Sequence, residues 1–98
     1  MEIKKTVNGE MLTVALSGRL DTTTAPELEK EMNTGLVGVK KLVLDFSGLS
    51  YVSSAGLRVI LKAQKTMNAN GSMKLKHVNK DIMEVFEITG FVDILTIE

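Results

Sequence analysis

The chain has 98 residues, of which 44% are hydrophobic and 24% charged, values typical of one folded domain over residues 1–98. Twelve basic and twelve acidic residues cancel, and one Tyr with three Phe offers little base stacking, so nucleic acid is not an expected partner. The absence of cysteine, of a signal peptide pattern and of an apolar run that could cross a bilayer favours a cytoplasmic protein without a membrane partner.

The first predicted elements form a hairpin. Residues 2–7 alternate imperfectly, Asn8-Gly9 is a tight-turn dipeptide, and residues 11–16 are apolar almost throughout. The charges of the first strand suit the edge of a sheet, whereas the second strand suits its interior.

A connector over residues 17–24 is expected to lead into the first helix. Thr24 and Glu27 fit a capping box, in which each side chain bonds a free amide of the first turn. The helical spacing predicts four buried side chains, those of Ala25, Leu28, Met32 and Leu36.

The middle of the chain predicts a buried strand followed by a helix. The apolar run from Leu42 to Leu44 is typical of a central strand, and the segment Asp45–Gly48 matches a type I turn that would end it. Helical spacing resumes after Ser53-Ser54. Ser53 is a natural N-cap, which would place Ser54 in the first turn, with its hydroxyl at an exposed, positively polarised helix end.

The last third of the chain predicts three further elements. Asn70-Gly71 is expected to end the long helix with a left-handed residue, and residues 73–76 alternate as a strand with one buried face. Asn79 would cap a short helix closed by Gly90, and residues 91–97 would contain a last strand. The predicted fold is a small single-domain α/β sandwich, with a mixed, mostly parallel sheet of about five strands and three to four helices.

Three lysines of this region, Lys74, Lys76 and Lys80, gather near His77. They form either the solvated face of a half-buried strand or a functional basic patch, and the first interpretation is the more common.

The residues for catalysis or metal binding are not present in a recognisable pattern. His77 is the only histidine, and the segment Ser53–Gly56 does not match the Gly-x-Ser-x-Gly elbow of serine hydrolases. No close ligand cluster and no glycine-rich phosphate loop appear. We therefore predict a protein that is not an enzyme, with no catalytic residue, metal or cofactor.

The segment Tyr51–Leu61, which reads YVSSAGLRVIL, resembles the signature of the STAS domain family, in particular the bacterial anti-sigma factor antagonists. The resemblance implies that a serine is phosphorylated by a partner, an anti-sigma factor that is also an ATP-dependent serine kinase, and that the phosphorylated form releases this partner. A phosphoprotein phosphatase would reverse the reaction. The matching position is Ser54. Ser53 stands where the best-known members carry aspartate and is the second candidate.

A second segment, Gly18-Arg19-Leu20-Asp21, is similar to the Gly-x-Leu-Asp segment of the same family. The resemblance places Asp21 beside the serine on the partner-binding surface, although the carboxylate could instead only satisfy loop amides. The implied partner-binding residues are Leu20, Asp21, Thr22, Val52, Ser53, Ser54, Gly56 and Arg58.

The expected function is that of an anti-sigma factor antagonist, which binds its partner when unphosphorylated, frees a sigma factor, and is inactivated by phosphorylation of Ser54. One alternative is a STAS interaction subunit of another signalling assembly without a phosphorylation switch. Another is an enzyme for a small molecule, which would depend on His77 or Ser54.

Overall fold

A computed structural model describes all residues from 1 to 98. The elements in chain order are β1 (Glu2–Asn8), β2 (Met11–Leu20), α1 (Ala25–Gly35), β3 (Lys41–Val52), α2 (Ser54–Asn70), β4 (Ser72–Lys76), α3 (Lys80–Thr89) and a 3-10 turn (Phe91–Asp93). The four strands form one sheet in the order β1-β2-β3-β4. β1 pairs with β2 antiparallel, whereas β2–β3 and β3–β4 are parallel. The predicted α/β class, the edge position of β1 and the mixed sheet are confirmed.

The core lies between one face of the sheet and the three helices. Alternate residues of the strands, such as Leu12, Leu44 and Leu75, belong to the same buried cluster as Leu28 of α1 and Ile60 of α2. The residues between them point to the opposite face of the sheet, because successive side chains of a strand alternate. That second face carries no helix.

The three phenylalanines hold the C-terminal part of the chain against the sheet. Phe86 of α3 is fully buried, and its ring centroid lies 6.3 Å from that of Phe46 in β3 and 6.4 Å from that of Phe91. Centroid distances of this size are typical of favourable aromatic pairs. This cluster, together with the buried side chain of Ile82, attaches α3 to the sheet.

The predicted turn at Asp45–Gly48 is wrong, since β3 continues to Val52. The Asp45 carboxylate does accept a hydrogen bond from the N–H of Ser47, at 2.9 Å, as the turn pattern suggests. Pairing with β2 nevertheless persists through two register shifts, and it extends β2 to Leu20, into the predicted connector. Such irregularities accommodate a local turn-like bend without ending a strand.

The predicted last strand is also wrong. After Gly90, with its left-handed φ of 79°, the chain forms the 3-10 turn. The residues that follow pair with β4 only through one isolated parallel bridge, between Leu75 and Ile97. The sheet thus has four strands instead of about five. The number of helices agrees with the prediction.

The start of α1 and the end of α2 do not depend on the interactions that the sequence predicted for them. The hydroxyl of Thr24 donates to the carbonyl of Arg19 at 2.7 Å and makes no capping bond, so the capping box with Glu27 is absent. Gly71 has an extended φ of 170°, and a Cβ there would overlap the carbonyl oxygen of Lys40. Close approach of two backbones, and not a left-handed conformation, requires this glycine.

No helix of the chain has both the length and the apolar character needed to span a membrane.

Candidate functional site

The candidate site lies where the carboxyl ends of two neighbouring parallel strands lead into helices. Leu20 at the end of β2 pairs with Val52 at the end of β3. The N–H of Ser53 donates to the carbonyl of Leu20 at 2.9 Å, which fixes the start of α2 beside the loop that begins at Asp21. Segments distant in sequence therefore meet at one edge of the sheet.

The two serines occupy different positions at the start of α2. Ser53 has extended backbone angles, and its hydroxyl oxygen accepts from the N–H of Gly56 at 3.4 Å, which confirms its predicted role as N-cap. Ser54 is the first helical residue, and its side chain is exposed. The hydroxyl of Ser54 is thus presented to solvent, while that of Ser53 is committed to the helix.

Gly56 allows α2 to start close to the end of β2. A Cβ at this position would lie 2.7 Å from Cγ and 3.1 Å from the carbonyl oxygen of Leu20. The first distance is shorter than any real Cβ contact and the second is tighter than most, so a larger residue would require Leu20 or the helix to shift.

The structure corrects the expected surface at three positions. Leu20 and Val52 belong to the core, and Gly56 is buried against Leu20. The prediction that they form part of an exposed partner surface is wrong for their side chains, because pairing of the two strand ends turns them inward. They instead support the exposed residues Thr22, Ser54 and Arg58, with the half-exposed Asp21 and Ser53 between them.

The carboxylate of Asp21 organises the loop before α1. Its Oδ1 accepts from the N–H of Thr23 at 3.0 Å and from the N–H of Thr24 at 3.1 Å, and it lies 3.2 Å from the hydroxyl of Thr24, which shares its single proton between this oxygen and the carbonyl of Arg19. The backbone donor of Thr24 is the largest cause that lowers the pKa of Asp21 below its ordinary value of 3.8, with the other two donors and Arg19 adding to it. The interpretation that Asp21 satisfies loop amides is confirmed; its contact with a partner stays a prediction.

Because these hydrogen bonds favour the charged carboxylate, Asp21 should make stability depend on pH. The stability that Asp21 contributes is fully present well above the ordinary pKa of 3.8 and is lost as the pH falls through the lower pKa of the folded state. We expect the urea midpoint of the wild type to fall more steeply than that of Asp21→Asn between about pH 5 and pH 3. Asp93→Asn, at an exposed position, is the control and should retain the wild-type slope. Parallel profiles for the wild type and Asp21→Asn would contradict the prediction.

Arg19 and Tyr51 complete the site and were missed as site residues by the sequence analysis. They are paired across β2 and β3, and the guanidinium carbon of Arg19 lies 4.1 Å from the centroid of the Tyr51 ring. The Nε of Arg19 is also 3.7 Å from Oδ2 of Asp21, with its side chain 61% exposed. Both lie inside the quoted motifs, so the available signal was their position next to Leu20 and Val52. Their pairing gives the site an exposed cation held in a fixed orientation.

The electrostatics of the α2 end suit an added anion. The first turn of α2 contains no acidic residue, and its free amides carry the positive end of the helix dipole. Arg58 is exposed and lies one turn after Ser54, a spacing at which helical side chains are neighbours. A negative group on Ser54 would therefore face amides and a cation.

The only histidine of the chain is engaged away from the two serines. Nδ1 of His77 lies 2.9 Å from Oδ1 of Asp45, and this hydrogen bond lowers the pKa of Asp45. His77 makes no hydrogen bond to Ser53 or Ser54, and the hydroxyl of Ser53 instead accepts from the N–H of Gly56. No group of three or more His, Asp or Glu side chains is placed to hold a metal ion.

Comparison with known proteins agrees with the fold and the motifs. A family model described as STAS domain matches residues 2–98. A protein of Bordetella bronchiseptica, provisionally named anti-sigma factor antagonist BtrV, is 37% identical over 89 residues, which cover 89% of this chain and 77% of that protein. The anti-sigma-B factor antagonist of Staphylococcus aureus is 29% identical over 97 residues, 97% of this chain and 90% of that protein.

Among solved structures, the Bacillus cell fate determinant SpoIIAA in its phosphorylated form has a TM-score of 0.77 and 20% identity. The match covers 99% of this chain and 91% of that one. At this identity the likeness shows a shared fold.

Proposed function

The chain belongs to the STAS domain family, and from this premise we propose that it is an anti-sigma factor antagonist controlled by phosphorylation of Ser54. In its unphosphorylated form it would bind an anti-sigma factor and so free a sigma factor for transcription. The names of the relatives from Bordetella bronchiseptica and Staphylococcus aureus support this function. The observation that carries the switch is the exposed hydroxyl of Ser54 at the first position of α2.

Ser54 is the better of the two phosphorylation candidates because of the division of roles at the helix start. Ser53 accepts a hydrogen bond from Gly56 and is only half-exposed, so modifying it would disturb the cap. Loss of an N-cap typically costs about 1 kcal/mol of stability. Ser54 can be modified without this cost.

Phosphorylation of Ser54 should leave the fold intact. The phosphate would add about two negative charges near the positive end of the dipole of α2. No acidic residue of the first turn opposes it, and Arg58 lies one turn away on the helix. In the interface with a docked partner, the same charge would lose its hydration shell. This desolvation would weaken binding of the partner and so provide the switch.

The partner implied by this proposal is an anti-sigma factor with serine kinase activity. It would transfer the γ-phosphoryl group of ATP to Oγ of Ser54, with loss of the hydroxyl proton and release of ADP. A phosphoprotein phosphatase would hydrolyse the ester and restore the binding form. The chain itself acts as substrate and ligand and not as an enzyme.

The proposal is tested by incubation with the cognate anti-sigma factor kinase and ATP, followed by peptide mass mapping. We expect one phosphate on Ser54 in the wild type and none in Ser54→Ala. Ser53→Ala is the matched control, which should remain phosphorylated at Ser54 although its helix cap is weakened. Phosphate on Ser53 alone, or an unmodified wild type, would overturn the assignment.

A further inference from the structure

The helix-free face of the sheet contains a hollow of about 340 Å³ toward the amino ends of β3 and β4. Met11 and Val43 form its apolar floor, and the side chains of Lys41, Lys74 and Lys76 line it. Val43 is only 9% exposed, although it does not belong to the main core cluster. The hollow thus combines a sheltered apolar surface with three cations.

The sheet register explains why the lysines converge. Lys74 pairs with Val43, and Lys41 lies two residues before Val43 on the same face of β3. Lys76 follows Lys74 at the same spacing on β4. These lysines therefore surround one point on the solvated face of the sheet, which agrees with the alternation of Lys74 and Lys76 on a half-buried strand.

One carboxylate of the chain already occupies the lysine side of the hollow. Oε1 of Glu98 lies 3.2 Å from Nζ of Lys74, and Oε2 lies 3.8 Å from Nζ of Lys76. The N–H of Glu98 donates to the carbonyl of Leu75 at 2.9 Å, which holds this carboxylate beside β4. Its contacts indicate where the acidic group of a ligand would bind. The side chains of three lysines and one glutamate give the hollow an excess of two positive side-chain charges.

We propose that this hollow binds a small dianion, a phosphate monoester or a dicarboxylate, that carries a compact apolar group. The anionic groups would contact Lys41, Lys74 and Lys76, and the apolar group would cover Met11 and Val43. The volume is at the lower end of that of small-molecule sites, which favours a small ligand over a macromolecule. Glu98 competes with the ligand for two of the lysines.

The inference goes beyond the proposed function and does not depend on it. Ser54 follows the carboxyl end of β3, whereas Lys41 and Ser72 lie at the amino ends of β3 and β4. Val43, the last residue of β3 that lines the hollow, precedes Ser54 by eleven residues, so the two sites lie toward opposite ends of β3. Either site could exist without the other.

The experiment is a titration of the full chain at constant ionic strength, followed by the backbone amide resonances of Met11, Val43 and Lys74. Phenyl phosphate and phthalate are the two dianionic probes, and benzyl alcohol is the uncharged control. We expect saturable shifts with at least one dianion and none with benzyl alcohol. The dianion that binds more tightly identifies the anionic group, phosphate or carboxylate, that the site prefers.

Two variants should change the affinity in opposite directions. Lys74→Gln/Lys76→Gln should weaken binding by about tenfold, and Glu98→Gln should strengthen it by about threefold, since a competing carboxylate is removed. Lys30→Gln/Lys65→Gln removes the same charge from exposed positions of α1 and α2 and should have no effect. The proposal is overturned if no dianion gives saturable shifts, or if both lysine pairs reduce binding equally, as expected for unspecific attraction.

Discussion

Phosphorylation of Ser54 is expected to lower the affinity for the cognate anti-sigma factor by about a hundredfold, equivalent to about 3 kcal/mol. This follows from the proposed function, in which the exposed hydroxyl at the start of α2 is covered by the partner. A phosphate in that interface would be desolvated, or would repel acidic groups of the partner, and either effect has this magnitude. Isothermal titration calorimetry of both forms measures the difference.

The substitutions at Ser54 separate charge from the loss of the hydroxyl. Ser54→Asp supplies one negative charge and should weaken binding by at least about tenfold, while Ser54→Ala should bind nearly as tightly as the wild type. Asn33→Asp makes the same charge change at an exposed position near the far end of α1 and should leave affinity unchanged. If Ser54→Asp binds as tightly as the wild type, the phosphorylation switch is refuted and a STAS interaction subunit without a switch is favoured.

Phe86→Ala is expected to destabilise the protein by about 4 kcal/mol, the largest stability effect predicted for a single substitution here. Phe86 is fully buried and contacts the rings of both Phe46 and Phe91, so its removal leaves a cavity between α3 and the sheet. A domain of this size has about 5 to 15 kcal/mol of total stability. The urea midpoint should fall by about 2 to 3 M, measured by circular dichroism.

Ile88→Ala is the matched control for this substitution. Ile88 lies in the same helix, but its side chain is 80% exposed, so its truncation should cost less than about 0.5 kcal/mol. Equal destabilisation by the two substitutions would show that α3 is not attached through the aromatic cluster.

The features that the sequence predicted correctly at the site depend on contacts within a few residues. Ser53 caps α2 because its hydroxyl oxygen reaches an amide three residues later, and Ser54 is exposed because it follows that cap. Asn79 caps α3 through the same local geometry. The order of helices and strands, up to the last predicted strand, also followed from hydrophobic spacing, which short-range geometry alone imposes.

The remaining features depend on which distant segments become neighbours. Pairing with β2 keeps β3 extended through the turn-like segment after Asp45, and it buries Leu20 and Val52, which had been expected on the surface. The same pairing brings Arg19 over the ring of Tyr51. No local pattern encodes these contacts, because they join residues about thirty positions apart whose approach is decided by the packing of the whole sheet. Local sequence is sufficient to predict a capped helix with an exposed serine, whereas the side chains around that serine depend on the long-range packing of the sheet.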